Sequence, residues 1–242
     1  MKILLLTTDT PHHAKFVDSL KSHADLQVVA ETKPTVKPGF LTASELLSGP
    51  QEAYELKRWF NSSNIHLRDI CEVHEVDSIN DEEVEAIATE FRQDLALVYG
   101  TSILSQQTIW NMNSPILNFH GGDPQHYRGL DSHLWCAYHS DWESLKVALH
   151  VLEPTIDTGP LVALERVGIE AGSALEQLRA FTTEVCISII AEVIPNLSRR
   201  LHQKSLRSYT RGRYYSHMPA SLLDRSRKNY DRWSAAESLD AK

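Results

Sequence analysis

The sequence predicts an α/β fold: a Rossmann-like, mostly parallel sheet over residues 1–200, then a short C-terminal extension over residues 201–242. Three observations carry that prediction. Lys2 to Leu6 is a continuous apolar run of strand length. Phe16, Val17 and Leu20 then share one helical face, and Leu26 to Ala30 is a second run rich in β-branched residues. Strand, helix and strand in that order make a βαβ unit, whose two strands must lie parallel.

The elements that follow can be justified in turn. Residues 32–50 contain Pro34, Pro38, Gly39, Gly49 and Pro50, so a long loop is expected there, with one helical turn at Ala43 to Leu47. Gln51 to Phe60 has helical spacing, and Cys71 to Val76 suits a short strand. Asn80 or Asp81 can cap a helix whose first turn holds Glu82, Glu83 and Glu85, with Val84, Ile87, Ala88 and Phe91 as its buried stripe. Two buried strands follow, Leu95 to Tyr99 ending at Gly100, and Pro115 to Phe119 running into His120-Gly121-Gly122. In open α/β sheets ligands bind beyond the carboxyl ends of strands, which singles out the loops after Leu6, Tyr99 and Phe119. Ser132 to His139 reads as a helix, Leu145 to Leu152 and Leu161 to Val167 as strands, and Glu153 to Pro160 as the turn between them. Ser173 is expected to cap a long helix reaching Leu197. The extension carries Tyr209, Tyr214, Tyr215, Tyr230 and Trp233, a set suited to packing on the domain or on a partner subunit.

Composition narrows the function. A chain of 242 residues is long enough to bury a core without covalent staples. Cys71, Cys136 and Cys186 are odd in number and form no CxxC pair, which points to a reducing, cytoplasmic setting. With 24 Lys and Arg against 32 Asp and Glu, the net charge of −8 disfavours a nucleic-acid partner. The apolar start, Ile3 to Leu6, is too short for a signal sequence or a bilayer span, so no membrane association is expected. The 12 histidines include no HExxH pair.

Asn118 and His120 alternate at a strand end, so their side chains point to the same side. Asp157, in the breaker-rich turn, can fold back over them. An amide, an imidazole and a carboxylate suit acyl transfer: the first two steady a developing oxyanion, and the carboxylate tunes the imidazole as it moves a proton. His150 reads as a packed or supporting residue. His12 and His13 are as consistent with a solvated loop as with substrate contact and stay outside the catalytic set.

The segments Asn118-Phe119-His120, Tyr127-Arg128-Gly129 and Ile156-Asp157-Thr158-Gly159 together resemble the signature of the folate-dependent formyltransferases, over roughly residues 1–200. The resemblance implies that Asn118 and His120 stabilise the tetrahedral intermediate as an amine attacks N10-formyltetrahydrofolate, that His120 transfers the proton, and that Asp157 holds His120 or a water beside it. It implies further that Ile103 and Leu104 wall the folate pocket, that Pro154, Thr155 and Ile156 lie against the pterin, and that Tyr127 and Arg128 border the substrate. No metal is implied.

Three departures from the family pattern bear on the acceptor. Gly121-Gly122-Asp123-Pro124-Gln125 stands where the family more often has Pro-Ser-Leu-Leu-Pro. The loop after the first strand, Thr7 to His13, lacks the Gly-rich phosphate loop of the glycinamide ribonucleotide enzymes. The extension is too short for the RNA-binding barrel of the methionyl-tRNA enzymes. What remains is transfer to a nucleotide-linked amino sugar, with a homodimer expected because such members commonly dimerise. The alternatives are another small amine such as a siderophore precursor, a formyltetrahydrofolate hydrolase, and a non-catalytic binding module of the same fold.

Overall fold

The computed structural model describes residues 1–33, 38–202 and 212–240; Pro34, Tyr209 and Arg211 lie outside the described residues. Seven strands form the central sheet: β1 (Lys2–Thr7), β2 (Asp25–Glu31), β3 (Val73–Val76), β4 (Leu95–Val98), β5 (Ile116–His120), β7 (Lys146–Val151) and β8 (Leu161–Arg166), in the order β3-β2-β1-β4-β5-β7-β8. The pairs from β3 to β5 are parallel, while β5–β7 and β7–β8 are antiparallel. The strand order reverses direction at β1, so the loops after β1 and β4 open a crevice at the carboxyl edge.

Helices cover both faces, which is why the central strands are apolar throughout rather than alternating. Ile3 and Leu5 face one core together with Phe16, Val17 and Leu20 of α1 (Pro11–Leu20) and residues of α6 (Leu178–Val193). Leu4 and Leu6 face the other, with Val84, Ile87 and Ala88 of α3 (Glu82–Phe91). The helical run from Leu175 to Leu201 is apolar enough in composition to cross a bilayer, yet α6 buries Phe181, Ile189 and Ile190 in the first core.

Two expectations change. Residues 43–60 form one helix, α2 (Ala43–Phe60), rather than a loop and a later helix. Thr42 and Glu45 close a reciprocal capping box at its start, and this local signal outweighs Gly49 and Pro50. Ser173 does not cap the long helix: its hydroxyl meets Tyr230 Oη at 3.0 Å, and the helix begins with a 3-10 turn over Leu175–Gln177. The short helix α4 (Gln106–Asn111), capped by Ser105 accepting from Thr108 N, lies between β4 and β5.

The extension is built into the domain. β9 (Arg213–Tyr215) pairs in parallel with β6 (Tyr127–Gly129), and α8 (Leu223–Asp240) packs along α5 (Ser132–His139). Asn229 donates to the carbonyls of Ala137 and Tyr138, Trp233 stacks on Trp142, and Tyr230 is fully buried in the first core. α7 (Leu197–His202) follows α6 after one 3-10 turn.

Candidate active site

Asn118 and His120 sit two residues apart on β5, so their side chains share a face of the sheet. Opposite Asn118, in register on antiparallel β7, is His150. Directly paired residues of an antiparallel ladder project side by side. The Asn118 amide nitrogen accordingly lies 3.2 Å from His150 Nε2, while His150 Nδ1 lies 2.9 Å from the Val151 carbonyl.

The turn after β7 folds back and lays Asp157 over the same face. Asp157 Oδ2 is 3.3 Å from His120 Nδ1 and Oδ1 is 3.3 Å from His150 Nε2, so one carboxylate touches both imidazoles. Asp157 holds the left-handed conformation, φ 50°, which Asp tolerates better than most residues. The Gly129 N–H donates to its Oδ2 at 2.7 Å, and Arg128 donates to the Ile156 carbonyl at 3.2 Å. Gly159 is obligatory where the turn closes: a Cβ there would stand 1.8 Å from the Val151 carbonyl oxygen.

Burial pushes the His120 ring below its usual value, against the pull of the Asp157 carboxylate. Burial alone would raise the Asp157 carboxyl, but His120, His150 and the Gly129 N–H together hold it below the ordinary carboxylate value. His120 Nε2 lies 2.8 Å from the Tyr127 carbonyl. Both ring nitrogens thus face acceptors, and a neutral imidazole has one proton for the two of them. A ring kept neutral by burial, yet satisfied at both nitrogens once protonated, is suited to take up a proton during a reaction.

These side chains open onto a cavity of about 780 Å³, within the range of small-molecule sites. Asn118, His120, His150 and Asp157 line it, as do Ile103, Leu104, Pro154 and Ile156, which give it an apolar wall. Thr155 is exposed and off the wall; its carbonyl accepts from Thr158 Oγ1. Tyr127 and Arg128 do not border the cavity either. The Tyr127 ring is buried and stacks on Tyr215, its carbonyl meets His120, and Arg128 ties the Asp157 turn to the Gly212 carbonyl.

The loop holding Ile103 is fixed from behind. Buried Glu31 accepts from the backbone N–H groups of Ile79 and Ser102, and Asn80 bonds the Ile103 carbonyl and the Ser105 N–H. His12 lines the cavity; His13 is 3% exposed, with burial lowering its pKa to about 3, so this pair is not a solvated loop. Across the cavity, fully buried Glu55 of α2 takes a bidentate bond from Arg179 of α6 at 2.6 and 2.9 Å. Sequence reasoning missed that pair, because 124 residues separate the partners and neither carries a local motif.

No protein-family model matches the chain, and no curated protein does. Solved structures do share its fold. A sugar N-formyltransferase from Shewanella aligns with TM-score 0.57 at 15% identity, over 95% of this chain and 87% of that one. The formyltransferase PseJ from Anoxybacillus kamchatkensis, solved with UDP-4,6-dideoxy-4-formamido-L-AltNAc and tetrahydrofolate, aligns with TM-score 0.52 at 14% identity, over 92% and 97%. HypX from Aquifex aeolicus, solved with tetrahydrofolic acid, aligns with TM-score 0.58 at 14% identity; the match covers 92% of this chain but 30% of HypX. The chain therefore has the fold of the formyltransferases.

Proposed function

We propose that this protein is an N-formyltransferase that moves the formyl group of N10-formyltetrahydrofolate to the amine of a nucleotide-linked amino sugar. The observation that carries the reading is the convergence of Asn118, His120 and Asp157 on one wall of a single cavity beside the apolar Ile103–Leu104 wall. Such a slot fits a flat pterin. The structural neighbours include a sugar N-formyltransferase and a formyltransferase solved with a UDP-linked formamido sugar and tetrahydrofolate.

In this reaction a bond forms between the acceptor nitrogen and the formyl carbon, the bond from that carbon to N10 breaks, and one proton passes from the amine to N10. Asn118, held by His150, offers its remaining amide hydrogen to the oxyanion of the tetrahedral intermediate. His120 takes up the amine proton and, as an imidazolium, donates from Nε2 to the Tyr127 carbonyl and from Nδ1 to Asp157. Asp157 stays ionised and stabilises that cation; His120 then returns the proton to the leaving nitrogen. A homodimer working in the cytoplasm completes the proposal.

The test is direct. The purified protein is supplied with 10-formyltetrahydrofolate and UDP-linked 4-amino-4,6-dideoxy sugars, and tetrahydrofolate and the formamido product are measured together. Equal release of both is expected. Absence of turnover, together with no thermal stabilisation by any folate, removes the reading.

A further inference from the structure

Ile103, Leu130 and Tyr214 are large apolar side chains that the fold leaves exposed, and all three line the catalytic cavity. The reaction described above uses the first alone. Tyr214 comes from the C-terminal extension, on β9, in register with Arg128 of β6. Successive residues of a strand point to opposite faces, so the two tyrosines of β9 part. Tyr215 turns inward and stacks on Tyr127 in the first core. Tyr214 turns the other way, onto the cavity, and is 46% exposed.

A glycine fixes where that ring stands. Gly129 holds φ 93°, and a Cβ there would lie 2.7 Å from Tyr214 Cε2, 3.0 Å from its Cδ2 and 2.2 Å from the Tyr215 carbonyl oxygen. Only glycine admits this approach, which seats the edge of the ring on the Gly129 backbone. The N–H of the same residue donates at 2.7 Å to Asp157 Oδ2, the oxygen that lies 3.3 Å from His120 Nδ1. One residue therefore separates the aromatic ring from the catalytic carboxylate. Leu130 follows in the chain, 42% exposed, and its N–H donates to the Tyr215 carbonyl, so it is tied to the same strand.

Position and charge decide what this surface carries. Leu104, of the wall read as the pterin's, packs in the second core, whereas Tyr127 and Tyr215 pack in the first. The two walls thus reach the strand ends from opposite faces of the sheet, and the ligand on the Tyr214 side is the acceptor. Within a nucleotide-linked amino sugar, the base is separated from the reacting amine by the hexose, two phosphates and a ribose, too far to rest beside Asp157. The phosphates are disfavoured there by Asp131, which lines the cavity next to Leu130. The hexose remains. Its C–H face is apolar, and C–H edges carry the partial positive charge that the face of an aromatic ring attracts.

We propose that Tyr214, with Leu130 beside it, is the platform on which the acceptor's hexose ring stacks, so that the C-terminal extension supplies a substrate-binding residue. This rests on the formyl-transfer reading.

The test uses wild type, Tyr214→Ala and Tyr214→Phe. Three quantities are measured on each: kcat/KM for a UDP-linked 4-amino-4,6-dideoxy sugar, the inhibition constant of UDP, and the calorimetric affinity for tetrahydrofolate. Tyr214→Ala should lower kcat/KM roughly 10-fold or more, with UDP inhibition and folate affinity unchanged. The unchanged folate affinity shows that the variant is folded. Tyr214→Phe keeps the ring and should stay within about 3-fold of wild type. A Tyr214→Ala enzyme as active as wild type overturns the proposal. So does a matching loss of UDP inhibition, which places the ring under the base, or a matching loss of folate affinity, which places it under the p-aminobenzoyl group. A Tyr214→Phe enzyme as impaired as Tyr214→Ala also overturns it, assigning the effect to the hydroxyl. Wild type that binds folate but turns over no UDP-linked amino sugar removes the amino-sugar reading together with this one; wild type that binds no folate removes formyl transfer itself.

Discussion

Acidification should unfold this protein earlier than its carboxylates alone would dictate, through its buried histidines. His13 is 3% exposed, its Nε2 has no partner among the described residues, and burial lowers its pKa to about 3. The unfolded chain binds that proton near pH 6.5, so between about pH 6.5 and 3 the unfolded state carries one more proton than the folded state. Stability is therefore fully present above 6.5 and drains as pH falls, at about 1.4 kcal/mol per unit. From pH 7 to pH 5 His13 alone removes about 2 kcal/mol. His133, lowered to about 4 and partly facing the cavity, adds a smaller loss of the same sign. Glu55, whose carboxyl is raised by burial, works the other way. A loss of about 2–4 kcal/mol is a large share of the ~5–15 kcal/mol that holds a domain folded. Urea unfolding at the two pH values measures it, and His13→Gln should shrink the loss by about 2 kcal/mol. A wild-type change under about 1 kcal/mol, or a His13→Gln slope equal to that of wild type, refutes the reasoning.

Further outcomes are expected. Asn118→Ala, His120→Ala and Asp157→Ala should each lower kcat/KM by roughly 100-fold or more while leaving the far-ultraviolet circular dichroism intact; near-normal turnover in a folded variant removes that residue from the set. Gly159→Ala, which sets a methyl against the Val151 carbonyl, should destabilise by about 1–3 kcal/mol or more and misplace Asp157, seen as joint loss of melting temperature and activity. Arg179→Leu strands the Glu55 carboxylate, fully buried, and should cost about 3–5 kcal/mol; adding Glu55→Gln should recover much of it in thermal melts.

Much of the fold was legible because its signals are local. The apolar runs of β1, β2, β4 and β5 must be continuous where helices cover both faces, and the motifs singled out Asn118, His120 and Asp157, which the structure brings to one wall of the cavity. Helix α2 was legible too, had the Thr42–Glu45 capping box been weighed above Pro50. Other features have no local signal. That His150 would face Asn118 depends on an antiparallel register spanning 32 residues, and the periodicity of an apolar strand does not reveal its direction. The contacts of Tyr127 and Arg128 likewise follow from where β9 docks, far along the chain.

That docking also sets an order in time. Arg128 reaches the Gly212 carbonyl, β6 gains β9, and Tyr230 fills a place in the same core as β1. A chain emerging from the ribosome N-terminus first can form the strands of its sheet before residue 212 appears, but the clamp on the Asp157 turn waits for the segment that carries β9 and α8. Any nascent chain halted before that point presents an open pocket and a bare apolar face, the marks by which chaperones and proteases recognise unfinished work.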